Sequence, residues 1–115
     1  MPEQALPPAE ALTLARDLLA AGRPFFAHDV LEARWKAAPP EERDLWQGLA
    51  QVCVGLTHLQ RGNRVGGARL LRRGAGRLSD YAGPAYGVDA VRAAQQALRR
   101  ADEVEAGRSG APVEL

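Results

Sequence analysis

Four side chains in this sequence could do chemistry together: His28 and Glu32 in one segment, Gln51 and His58 in the next. Two imidazoles and a carboxylate, with a carboxamide nearby, make up the donor set of an open first-row divalent metal site. An ion there, zinc or manganese, would activate a water for hydrolysis of a small-molecule substrate, with Glu32 or Asp29 taking the proton. The expected ligands are His28, Glu32, His58 and Gln51; the expected catalytic groups are Asp29, Glu32 and Arg61, with Arg61 contacting a substrate anion. His-x-x-x-Glu is half of many helical metal sites, but it lacks the second imidazole that His-Glu-x-x-His places one turn away. The same residues also suit a hydrogen-bonded network, because polar groups on a buried helix face must be paired.

Both segments read as helices. At about 100° per residue, Leu45, Leu49, Val52, Leu56 and Leu59 fall in an arc roughly 80° wide. Gln47, Gln51 and His58 occupy a second arc, roughly 40° wide, on the opposite side. A neutral stripe of this kind belongs to a helix covered on both sides. In the preceding segment Phe26, Ala27, Val30, Leu31 and Trp35 form the apolar face, and His28 and Glu32, at i and i+4, sit on its rim. A short turn between the two helices makes them antiparallel, so the polar stripes are expected to meet.

Proline and glycine divide the rest. The first helix starts near Pro8 and ends before Gly22; the second runs from Pro24 to about Ala38, stopped by Pro39-Pro40. The third spans Pro40 to about Arg61, and Gly62-Asn63 closes it and caps the fourth, Arg64 to Ser79. Asp89 caps a fifth helix whose inward face is predicted as Val91, Ala94, Leu98 and Ala101. Strand signals are absent. The expectation is an all-α, single-domain bundle of about five helices over residues 1–106. Helix three is central, with helices one, two and four around it, and residues 107–115 form a flexible tail.

The 115 residues suit one domain, and a net charge of +1 makes no global case for nucleic acid. The single cysteine, Cys53, reads as a buried, inert thiol. With no signal segment and no apolar run of membrane-spanning length, a cytoplasmic protein without membrane contact is expected. A second candidate surface is the fourth helix, where six arginines and no acid lie between Arg61 and Ser79. Arg69, Arg72, Arg73 and Arg77 could follow a polyanion such as nucleic acid, or form a solvated face balanced by Asp102, Glu103 and Glu105. A purely structural, homodimerising bundle is a third reading.

Three motifs in order carry a resemblance: Phe26-x-His28-Asp29-Val30-Leu31-Glu32-x-x-Trp35, then Trp46-x-Gly48-Leu49-x-Gln51, then His58-x-x-Arg61-Gly62-Asn63-x-x-Gly66-x-Ala68. This pattern resembles the small bacterial and archaeal family catalogued as domain of unknown function 309. The resemblance implies an all-α bundle and the label of a predicted metal-dependent hydrolase without a defined substrate. It carries over to His28, Glu32, Trp35, Gln51, His58, Arg61 and Asn63. The chain departs from the family at Asp29, where glutamate is usual, and at Ala50, where a larger aliphatic residue is common.

Overall fold

The punctuation of the sequence is the punctuation of the structure. The computed structural model describes residues 5–108 and 112–115. It contains helices α1 (Pro8–Ala20), α2 (Pro24–Ala37), α3 (Arg43–Gln60), α4 (Arg64–Ser79) and α5 (Ala90–Glu105), with no strand among the described residues. Prolines open α1 and α2, where a missing N–H removes no helical bond. Residues Pro40–Glu42 form a separate 3-10 turn, so α3 begins three residues later than the proline suggests. Gly62 ends α3 at φ 80°, with Asn63 N–H donating to His58 O (2.8 Å) and Gly62 N–H to Leu59 O (3.1 Å). That is the Schellman closure for which glycine is favoured. Asn63 and Asp89 cap α4 and α5 by accepting from Gly66 N–H (2.9 Å) and Arg92 N–H (3.0 Å).

Each helix packs on its chain neighbours: α1 on α2, α2 on α3, α3 on α4 and α4 on α5. Helix α3 is therefore central, with α2 and α4 packed along it, and α1 joins the same core with its main contact on α2. Leu12, Leu31, Leu45, Trp46, Leu49, Leu71 and Leu78 are fully buried. Burial pushes the Cys53 thiol up to about 12, so it stays protonated and unreactive.

The tightest seam joins α3 to α4. Gly48 and Gly55 stand seven residues apart on one face of α3, and Gly67 and Gly74 repeat that spacing on α4. They pair back to back: a Cβ on Gly74 would lie 2.7 Å from Gly48 O, and one on Gly55 would lie 3.0 Å from Gly67 O. Each glycine costs about 1 kcal/mol of helix propensity, offset by the backbone contact that it permits.

Two expected apolar faces are rotated. Helix α5 turns Ala90, Ala93, Ala94, Ala97, Ala101 and Val104 inward, whereas Val91 and Leu98 remain 53 and 40 % exposed. Small alanines let α5 lie close to α4, and the larger residues are left on its flank. On α2, Phe26 lies outside the expected buried face, at 45 % exposure.

The expected flexible tail lies partly outside the described residues, at 109–111. Residues 112–115 are described, and they pack: Val113 is buried within the core and Leu115 rests against it. Burying a valine side chain is worth about 1.5–3 kcal/mol, and Leu115 adds less. Ordering each residue costs about 1–2 kcal/mol, so this short segment is held close to balance. No helix among the described residues is long and apolar enough to cross a membrane.

Candidate functional site

The α2 pair forms as its spacing predicts. His28 Nε2 lies 2.6 Å from Glu32 Oε2, and Lys36, one turn further on, holds Glu32 Oε1 at 2.8 Å. The hydrogen bond from Lys36 is the largest influence on Glu32; with the charge of His28 it outweighs partial burial and holds the carboxyl below its ordinary value. A carboxylate depressed on folding stabilises the protein above its unfolded pKa, near 4.5, and loses that contribution as pH falls through the lower folded value. Because Glu32 is one-third exposed, we expect Glu32→Gln to lower stability by only about 0.5 kcal/mol at neutral pH. The gap should narrow as pH falls below that unfolded value, and urea unfolding at neutral and at acid pH reads it. A gap that widens in acid would contradict this.

The other nitrogen, His28 Nδ1, is sealed from solvent and makes no hydrogen bond; Asp29 Oδ1 stands 3.5 Å away. A general base must present its lone pair to the substrate proton within hydrogen-bond reach. This nitrogen does not.

The expected partners of this pair are committed elsewhere. Gln51 Oε1 accepts from Arg77 Nε at 3.1 Å, across the α3–α4 boundary, and Arg77 also donates to Asp44 Oδ1 at 3.0 Å. His58 Nδ1 lies 3.0 Å from Asn63 Nδ2, in the turn that starts α4. Gln51 and His58 are seven residues apart, so about 10 Å of helix axis separates them and one ion cannot bind both without distorting α3. Among the described residues no group of three or more His, Cys, Asp or Glu side chains is placed to hold a metal ion. The set His28, Glu32, Gln51 and His58 is thus divided into three separate pairings, and these residues do not fit a zinc or manganese ion.

What the structure does gather lies where α2 begins and α3 ends. The Arg61 guanidinium carbon lies 5.4 Å from the Phe25 ring centroid, within cation–π range. Phe25 stands edge-on to Phe26 at 5.9 Å, and its centroid is also 5.9 Å from that of His28. Both phenylalanines are exposed, at 43 and 45 %. Antiparallel packing of α2 on α3 produces this juxtaposition, because residues near 25 then lie opposite residues near 60. Periodicity alone had assigned Phe26 to the core.

The α4 arginines are largely spoken for. Arg72 pairs with Asp102 (2.8 Å) and with Glu105, and Arg77 with Asp44 (3.0 Å), while Arg64 donates to Val104 O at 2.7 Å. Arg69 and Arg73 are exposed. The basic stripe is therefore interrupted by acids from α3 and α5.

One cluster carries little sequence signal. Glu42 is 8 % exposed and accepts from Trp46 Nε1–H (3.1 Å) and Tyr86 O–H (2.7 Å), while Tyr86 stacks on Trp46 at 5.9 Å. Tyr86 adopts φ 51°, a left-handed conformation that is uncommon for a bulky residue. The loop before α5 is thereby tied to the start of α3. In the sequence, only the i, i+4 spacing of Glu42 and Trp46 pointed to it.

Comparison with known proteins agrees with the helical signature. The chain is 42% identical over 48 residues to the uncharacterized protein YpuF of Bacillus subtilis (strain 168), a match covering 41% of this chain and 28% of that protein. This chain thus spans well under two thirds of the relative's length. No solved structure matches it. The sequence model of the domain of unknown function DUF309 matches residues 12–70, just over half the chain, taking in α2, α3, the Arg61–Phe25 corner and the start of α4. The chain belongs to the DUF309 family.

Proposed function

We propose that this protein is a non-enzymatic interaction module that pairs with a second copy of itself through the corner built by Phe25, Phe26 and Arg61. The observation that carries this reading is the exposed phenylalanine pair with Arg61 stacked on it. Aromatic residues with arginine are the composition of interface centres. The surface also carries both signs of charge. Asp29 lies one helical turn beyond Phe25 and, unlike Glu32, has no lysine or arginine partner among the described residues. A two-fold axis through the phenylalanines would set α2 antiparallel to its copy and bring Arg61 to Asp29 of the second copy, making the contact self-complementary.

Sedimentation across a hundredfold concentration range should show a monomer–dimer equilibrium, with a melting temperature that rises with concentration. Phe25→Ser should abolish both effects. Arg61→Glu should weaken association about tenfold, and Asp29→Arg added to it should recover most of the loss. A wild-type chain that stays monomeric throughout overturns the proposal, as does a charge swap that recovers nothing.

A further inference from the structure

A different surface, away from the Phe25 corner, suggests a second recognition site. Helices α1 and α5 are the ends of the succession, and each packs on its chain neighbour. Between them runs residues 112–115, which belong to no helix. Val113 enters the core and Leu115 rests against it, two positions apart, as successive same-side residues of an extended chain do. The groove also reads the backbone. Glu114 N–H donates to Gln96 Oε1 of α5 at 2.9 Å. Leu115 O accepts from Arg16 of α1, through Nε at 3.2 Å and Nη2 at 2.9 Å, and the same Nη2 donates to Gly87 O at 3.1 Å. One side-chain acceptor and one guanidinium fork thus address a main-chain N–H and the backbone oxygen of the next residue.

The segment does not fill its groove. A cavity of about 570 Å³ lies on its α1 side, against Arg16, Leu19 and Ala20, and another of about 360 Å³ lies towards Leu56, Leu59 and Arg100. Leu19 borders both. Two apolar anchors, two main-chain contacts and vacant space on either side describe a peptide site with a small occupant.

We infer that the α1–α5 groove is a docking site for an extended segment of a partner protein, apolar at two positions spaced i, i+2, and that residues 112–115 hold it in cis. The cis occupant defines the partner's chemistry: Val113 and Leu115 set the side chains, and Gln96 and Arg16 set the backbone direction. A tethered occupant competes at an effective concentration on the order of millimolar, so a free segment binds only when it fits better or when the tether's grip is weakened.

The test uses the full chain and a fluorescein-labelled Pro-Val-Glu-Leu amide, followed by anisotropy. Val113→Asp places a charge in the apolar socket and evicts the cis segment. It should bind the peptide at least tenfold more tightly than the wild type, and Arg16→Ala added to it should lose at least tenfold. Glu114→Pro, which removes the N–H given to Gln96 and leaves both apolar anchors in place, should act in the same direction and serves if Val113→Asp does not fold. Equal affinity in wild type and variants overturns the inference. So does the absence of saturable binding by a variant whose circular dichroism is native, or the failure of both variants to fold, which would make the segment an integral part of the core.

Discussion

Gly74→Val should be among the most destabilising single substitutions in this chain, costing about 3 kcal/mol and lowering the melting temperature by roughly 10 °C. A Cβ at Gly74 meets Gly48 O at 2.7 Å, Val52 Cγ2 at 2.8 Å and Val52 N at 3.0 Å. Two of those atoms are backbone, so no rotamer change relieves the contact; α3 and α4 must separate along the seam that carries most of the core. Gly76, half a turn further on, is the control. A Cβ there meets nothing within 4 Å, so Gly76→Val should change stability by less than about 0.5 kcal/mol, with helix propensity pulling it slightly upward. Urea unfolding of both variants decides the matter: equal losses at the two positions would show that glycine at Gly74 is not needed for helix approach.

The second large effect is expected at Glu42. Glu42→Leu leaves the indole N–H of fully buried Trp46 without its acceptor and releases the Tyr86 hydroxyl. An unsatisfied buried donor costs about 1–3 kcal/mol and the second bond about 1 kcal/mol, so a loss of about 3 kcal/mol is expected. Trp46→Phe added to Glu42→Leu removes the orphaned N–H, and the double variant should be more stable than the sum of the two single losses by about 1–2 kcal/mol. Strict additivity would mean that the carboxylate does not serve the indole. The bond to Glu42 also holds the Tyr86 phenol above its ordinary value of 10. A group raised on folding contributes below its unfolded pKa and loses that contribution as pH rises through the folded value, so the stability gap between wild type and Tyr86→Phe should narrow as pH rises above 10.

The local decisions in this fold were open to reading because local chemistry makes them. Proline at the first turn, Gly62 in the left-handed region and the Asn63 and Asp89 caps act within a few residues, and each helix begins and ends close to its signal. Pro40 is the exception. It opens a 3-10 turn, and the α-helix proper starts only at Arg43. The His28–Glu32–Lys36 ladder was equally readable, since i, i+4 contacts need only the helix.

Other features depended on what each helix meets. The large apolar residues Val91 and Leu98 looked like the inner face of α5, yet alanines took it, because close approach to α4 rewards small side chains. The stripe of Gln51 and His58 was read as belonging to a helix covered on both sides, and both residues are half-buried. Its partners, however, came from Arg77 on α4 and Asn63 in the turn, since side chains take the donor or acceptor that packing brings nearest. The matched glycine spacings on α3 and α4 were visible as numbers, but only helix pairing showed that they oppose one another. Residues 112–115 read as a loose end by composition, and the unfilled groove between α1 and α5 drew Val113 into the core. The sequence alone thus determined five helices, their caps and the ladder on α2. Tertiary structure decided which polar groups are spent on each other and which are left exposed, because that depends on contacts between residues far apart in the chain, where no local periodicity reaches.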